Sequence, residues 1–267
     1  MHKTRVAGWG SLPAGGIALL LGLVFCLQPA AAQAGGRTRT NFNVGWKFNL
    51  GTPGGTPQEA GFNDSSWETV SVPHTLKLTS LDLDGSTDDN HQKTFHRYVG
   101  WYRKHFRVNA GAKVFLEFEG SHEVTDVWVN GKHAGKHTIS GYTPFDFDIT
   151  GEVNRSGDNV VAIRVDNTLN ADVPPDGGTR DYILFGGLYR DVYLVTTDKV
   201  HVTFPWDDTY AGVFVTTPTV KAENATISVR TTVRNEYDIT KPGTSMIRTC
   251  QGKTELPLHS KERPESR

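Results

Sequence analysis

From Asn41 to Thr197 the chain alternates apolar and polar residues in one short run after another, and no stretch keeps a helical period. Val114, Leu116 and Phe118 alternate with Phe115, Glu117 and Glu119, and Val161, Ile163 and Val165 alternate with Ala162 and Arg164. Successive side chains of a strand point to opposite faces, so a period of two marks half-buried strands. Asn130-Gly131 follows Val127-Trp128-Val129. That pair tolerates the positive φ angles of a type I′ turn, which predicts a tight hairpin. Gly157-Asp158-Asn159 and Asp176-Gly177-Gly178 punctuate later segments in the same way. The expected fold is all-β, with a jelly-roll-like antiparallel β-sandwich over residues 35–198.

A second patterned stretch opens near Val200. Ile227, Val229, Thr231 and Val233 alternate with Ser228, Arg230, Thr232 and Arg234, as in a strand of another sandwich. An immunoglobulin-like sandwich takes about 100 residues and some seven strands, so residues 199–240 are expected to form an incomplete immunoglobulin-like β-sandwich. Residues 241–267 are rich in charge, Pro and Ser, and their few apolar side chains fall at no useful period. Such a segment buries too little to repay ordering and is expected to be a disordered tail.

Residues 1–34 read as a signal peptide. His2, Lys3 and Arg5 make a basic start, Ile17 to Leu27 form an apolar run, and Ala32-Gln33-Ala34 is a small-x-small cleavage site. The run is shorter than the roughly 20 residues that a spanning helix needs, and the bulky Phe25 before Cys26 argues against lipid attachment. The expectation is export to the periplasm or beyond, with no membrane attachment after signal removal. Cys250 then remains as the one cysteine, so no internal disulfide forms and an ordinary core must hold the fold. Lys and Arg number 28 against 29 Asp and Glu. That balance leaves no cationic surplus to condense on phosphate and excludes nucleic acid as an expected partner.

Chemical signatures are sparse. There is no G-x-S-x-G, no H-E-x-x-H, no phosphate loop and no G-x-G-x-x-G. Glycoside hydrolysis needs two carboxylates about 5 to 9.5 Å apart, and none of Asp126, Asp146, Asp148, Asp181 or Asp191 carries a local scaffold that singles it out. The polar segment Asp82 to Arg97 is expected to be a long loop. Counted from Asp82 as an EF-hand, it has glycine at position four and Lys93 at position twelve, so it fails as a calcium loop. His91, His96 and His105 lack zinc-ligand spacing, and neither a metal nor a cofactor is expected. Trp46, Trp67, Trp101 and Trp128 either stack on sugar rings or pack in the core, and their strand context favours the core.

Five motifs in order carry a family resemblance: Ser66-Trp67-Glu68-Thr69-Val70 with Val72-Pro73-His74; Gly100-Trp101-Tyr102-Arg103-Lys104-His105-Phe106; Val127-Trp128-Val129-Asn130-Gly131; Gly141-Tyr142-Thr143-Pro144-Phe145-Asp146-Phe147-Asp148-Ile149; and Gly186-Gly187-Leu188-Tyr189-Arg190-Asp191-Val192. Together they resemble the N-terminal sugar-binding domain of glycoside hydrolase family 2, which includes β-galactosidases, β-glucuronidases and β-mannosidases. The resemblance covers Asn41 to Thr197, and Val200 to Asp238 looks like the start of the family's immunoglobulin-like domain. It implies that both catalytic glutamates sit on a separate (β/α)₈ barrel, the natural packing partner of this sandwich. By the same resemblance Asp181 matches an aspartate that binds substrate hydroxyls, a task suited to a carboxylate that accepts two hydrogen bonds. Arg97 stands where the galactosidase branch has asparagine, and Leu76 where many members have tryptophan. Arg190 and Asp191 are expected to anchor the last strand or the interface with the next domain, and His74 suits a turn.

A complete barrel takes roughly 250 residues, so 267 residues cannot hold a sandwich and a barrel together. The expectation is therefore the non-catalytic, substrate-side part of an exported family 2 glycosidase, cut short before its barrel and inactive alone. The alternatives are a free-standing carbohydrate-binding module and an adhesion or structural sandwich without sugar affinity.

Overall fold

A computed structural model of the chain describes residues 36–77, 98–108, 111–168, 170–174, 185–207, 211–242, 247–249 and 252–254. Ten strands build the first unit: β1 (Thr38–Asn41), β2 (Trp46–Leu50), β3 (Glu68–Val70), β4 (Val99–Phe106), β5 (Lys113–Phe118), β6 (Val124–Val129), β7 (Lys132–His137), β8 (Phe145–Asp148), β9 (Asn159–Asp166) and β10 (Val192–Thr197). They form a six-stranded sheet ordered β3-β2-β4-β9-β6-β7 and a four-stranded sheet ordered β1-β10-β5-β8, with every pairing antiparallel. The chain changes sheet at nearly every connection from β4 to β10, which is the crossing pattern of a jelly-roll-like sandwich. No helix occurs among the described residues.

The alternation read from sequence decides which side chains meet between the sheets. Val114, Leu116 and Phe118 of β5 and Val192 and Leu194 of β10 face Trp46, Tyr102, Val127, Val161, Ile163 and Val165 of the opposite sheet in one buried cluster. Asn130 (φ 52°) and Gly131 (φ 82°) make the β6–β7 turn with the positive φ angles expected of that pair.

Strands β5 and β9 depart from the half-buried expectation because their outer faces are also covered. All six residues of β5 are buried. Its outward Phe115 lies under Phe204, with centroids 5.1 Å apart, and Phe204 stacks on Trp206. Arg39 clamps the neighbouring Glu117 with two 3.0 Å hydrogen bonds. On the other sheet the indoles of Trp101 and Trp128 stack 5.5 Å apart on the outer face, on either side of strand β9, whose fully buried Ala162 pairs with Trp128. Trp46, Trp67 and Trp101 are buried, so packing accounts for these rings.

Arg103 is the largest buried cation, with no exposed surface. Its guanidinium donates to Asp64 at 2.8 Å and to the carbonyls of Pro57 and Glu59. It thereby pins the connection between β2 and β3 across the outer face of the six-stranded sheet.

The second unit contributes β11 (Val200–Val202), β12 (Val213–Val220), β13 (Ala225–Thr231) and β14 (Val233–Asn235), paired as β11–β14 and β12–β13. A further hairpin joins β15 (Ile247–Thr249) to β16 (Gly252–Thr254) within the stretch where a tail was expected. Lys113 ties the two units, with Asp148 at 2.5 Å and Glu236 at 2.6 Å. The β12–β13 hairpin leaves Val213, Val215 and Ile227 more than half exposed.

Candidate functional site

One edge of the sandwich gathers the connections that carry the motifs. The extended strap at residues 72–77 leaves β3, and its backbone finds partners in the glycine-rich segment before β10. His74 N–H donates to Leu188 O at 2.7 Å and Leu76 N–H to Gly186 O at 2.8 Å. On the other flank, Gly187 exchanges backbone hydrogen bonds with His122, at 3.0 and 2.7 Å. Residues 186–188 therefore run between two other segments, and all three of their carbonyls accept a backbone hydrogen bond. Glycine is required at position 187: its φ is +119°, and a Cβ there would lie 2.6 Å from the His74 carbonyl oxygen.

The strap walls a cleft of about 360 Å³, floored by Phe48 and flanked by Glu68, His74, Thr75 and Lys77. His74 Nδ1 lies 3.0 Å from the Tyr102 hydroxyl, and burial holds the imidazole below its ordinary pKa, with Glu68 opposing. The cleft thus carries a neutral imidazole, a carboxylate and an ammonium group beside an aromatic floor.

Asp181 and Arg97, the two contact residues expected from sequence, lie outside the described residues. Among the described residues nearest to them in sequence, Tyr98 and Gly186 both meet Asn167. Tyr98 N–H, next to Arg97, donates to Asn167 Oδ1 at 2.6 Å, and Asn167 N–H returns a bond to Tyr98 O at 3.1 Å. Gly186, just beyond the segment that carries Asp181, packs so closely that a Cβ would fall 2.5 Å from Asn167 Cγ. Lys77 donates to the Tyr98 hydroxyl at 3.3 Å. Pro174, on the other side of the Asp181 segment, accepts a bond from Gly141 N–H at 2.9 Å.

The loop between β7 and β8 closes the same edge. Tyr142 stacks on His122 with centroids 5.3 Å apart and planes 12° apart, and Tyr189 meets its edge at 5.8 Å. Tyr189 hydroxyl donates to Gly141 O at 3.0 Å. His137 lies face to face with Phe145 at 3.9 Å, and burial lowers its pKa although Ser140 O accepts from its Nε2.

The other acids singled out in the sequence have structural partners elsewhere. Asp126 lies on the outer face of the large sheet among His133, Lys136 and Arg164. Asp148 pairs with Lys113, and Asp146 accepts from Trp206 Nε1 at 2.6 Å. Asp191 accepts from Asn43 Nδ2 and from the Tyr193 hydroxyl, each at 2.9 Å, so it anchors the entry to β10. His105 sits 3.4 Å from Asp64; His91 and His96, with the rest of the Asp82–Arg97 segment from which the calcium reading was made, are outside the described residues. Among the described residues no three His, Cys, Asp or Glu side chains gather into a metal-binding group.

Sequence reading missed Asn167 and His122. Each is a buried polar residue in a connection, where the local signal is only that of a turn former or a loop.

The model of "Glycosyl hydrolases family 2, sugar binding domain" matches residues 41–198. A β-glucuronidase of Formosa agariphila is 34% identical over 218 residues, which cover 75% of this chain and 21% of that protein. A β-galactosidase of Thermoanaerobacter pseudethanolicus is 35% identical over 214 residues, covering 76% of this chain and 28% of that protein. Among solved structures, a family 2 β-glucuronidase aligns with a TM-score of 0.64 at 34% identity, over 75% of this chain and 22% of its own. Bacteroides uniformis β-glucuronidase aligns at 0.61 and 30% identity, over 75% and 22%. The chain spans less than a third of the length of each of these relatives.

Proposed function

The chain belongs to glycosyl hydrolase family 2 through that family's sugar-binding domain, and on this premise we propose that it is the non-catalytic, substrate-side unit of an exported retaining β-glycosidase. What supports the reading is that Tyr98, next to Arg97, and Gly186 both meet Asn167, an arrangement that suits two segments serving one sugar. Asp181 accepts hydrogen bonds from sugar hydroxyls, and the barrel that supplies the two glutamates of retaining hydrolysis packs against this edge.

Arg97 is a cation where galactosidases carry asparagine, and Lys77 stands at the neighbouring cleft. Two cations suit a sugar acid, so a β-glucuronide is the preferred ligand, in line with the names of several relatives. The exposed valine and isoleucine face of β12–β13 favours a unit completed by further strands over a free-standing module.

The test is direct. The purified chain should bind methyl β-D-glucuronide more tightly than methyl β-D-galactoside, lose that binding on Asp181→Ala, and hydrolyse neither nitrophenyl glycoside. Robust turnover that survives both Asp181→Ala and rigorous purification would overturn the non-catalytic assignment.

A further inference from the structure

Two polar side chains of the strap cleft keep unused hydrogen-bonding capacity. The Glu68 side chain, exposed on the edge strand β3, has no hydrogen-bond or ion-pair partner among the described residues. His74 engages one ring nitrogen, Nδ1, which faces the buried Tyr102 hydroxyl at 3.0 Å. Both residues line the cleft of about 360 Å³, a volume at the small end of the range of ligand pockets and roomy enough for one sugar ring.

Tyr102 decides which nitrogen of His74 carries the proton. Its hydroxyl is fully buried, and the Leu188 N–H donates to its oxygen. The hydroxyl proton still needs an acceptor, and His74 Nδ1 is the one within reach. Burial holds the imidazole below its ordinary pKa, so the ring is neutral and carries a single N–H. With Nδ1 accepting, that N–H sits on Nε2, on the side of the ring turned away from Tyr102. Packing fixes the ring itself, with the Phe48 centroid at 4.6 Å and that of Tyr102 at 5.7 Å. A donor of set orientation thus stands in one cleft with an unpaired carboxylate.

The charges around the cleft select the class of ligand. An anion would meet the Glu68 carboxylate. A cation would meet Lys77, whose ammonium donates to the Tyr98 hydroxyl at 3.3 Å and lies 5.4 Å from that ring's centre. A hydroxyl suits both unused groups at once, because it accepts from Nε2–H and donates to the carboxylate, whose second oxygen takes a neighbouring hydroxyl. We infer that the strap cleft is a binding site for a neutral pyranose, with Glu68 and His74 Nε2–H contacting adjacent hydroxyls. The site is separate from the role proposed for Asp181 and does not depend on it. Binding here makes and breaks no covalent bond.

Titration of the full chain with methyl β-D-glucopyranoside, followed by NMR of ¹⁵N-labelled histidine rings, tests the site. Before sugar is added, His74 Nε2 should show the shift of a protonated nitrogen and Nδ1 that of an unprotonated one; the reverse pattern would overturn the assigned donor. The glucoside should move the Nε2 resonance along a saturable curve, and methyl β-D-glucuronide should act on it several-fold more weakly at pH 7. Glu68→Ala, at an exposed position, should keep the amide spectrum and weaken glucoside binding by roughly tenfold, the scale of one hydrogen bond to a charged group. Glu68→Gln keeps an acceptor and should weaken it less. The neutral-pyranose site is overturned by an Nε2 resonance that stays still up to the solubility limit, by Glu68→Ala binding as tightly as the unchanged chain, or by a preference for the glucuronide at this resonance.

Discussion

Tyr98 and Asn167 hold each other by a reciprocal pair of hydrogen bonds: the Tyr98 backbone N–H donates to the Asn167 side-chain Oδ1 at 2.6 Å, and the Asn167 backbone N–H donates to Tyr98 O at 3.1 Å. Asn167 is only 2% exposed, and Gly186 packs directly on it. One amide therefore joins the end of the segment that bears Arg97 to the end of the segment that bears Asp181.

Asn167→Ala should strand the Tyr98 N–H beside the core and lower stability by about 1–3 kcal/mol, the usual cost of an unsatisfied buried donor. Asn167→Asp keeps the acceptor and should recover most of that loss. Urea unfolding midpoints of the two variants give the comparison; equal losses would show that the acceptor is not what matters.

Arg103→Ala should be among the most damaging single changes, on the order of 3–5 kcal/mol, because it leaves the Asp64 carboxylate without its buried counter-ion. Arg103→Lys should recover little, since one ammonium cannot reach Asp64 and the Pro57 and Glu59 carbonyls together. Thermal unfolding of both variants decides the point.

The contribution of Asp146 to stability should fall as pH rises from about 4 to about 7. Burial, with repulsion from Asp207 and Glu117, pushes the Asp146 carboxyl up to about 7, whereas an unfolded aspartate titrates near about 3.9. Between these values the folded state holds a proton that the unfolded state has released, so raising the pH favours unfolding, by on the order of 4 kcal/mol at full effect. Asp146→Asn should flatten this dependence and make the chain more stable than the unchanged protein at pH 8. A steeper dependence in the variant would contradict the assignment.

The β12–β13 hairpin should drive self-association. Val215 is 55% exposed and Ile227 is 56% exposed, on a ribbon exposed along nearly its whole length. Val215→Lys with Ile227→Lys should suppress light scattering on concentration and shift stability by no more than about 0.5 kcal/mol, as surface changes usually do. Unchanged scattering would locate the association elsewhere.

The fold was largely legible in the chain. Alternation places Val114, Leu116 and Phe118 on one face of β5 whatever the neighbours are, and Asn130-Gly131 accepts the positive φ angles of a hairpin turn through its own chemistry. These are local properties, so local text records them. The motif order from Ser66 to Val192 likewise led to the family without any coordinates.

Other features depend on residues far apart in the chain. That β5 is buried on both faces follows from Phe204 arriving almost ninety positions later, and nothing around Phe115 announces it. The same holds at the candidate site. Asn167 reads as an ordinary turn residue and Tyr142 as one more aromatic in a motif, and each meets its partners only when distant segments come together. Side-chain periodicity and turn chemistry are written within a few residues, whereas burial of a polar group and fixation of an exposed ring require partners from several connections. The sequence therefore determined the strands, their inward faces and the family, and tertiary structure alone decided which polar and aromatic residues were brought to one edge.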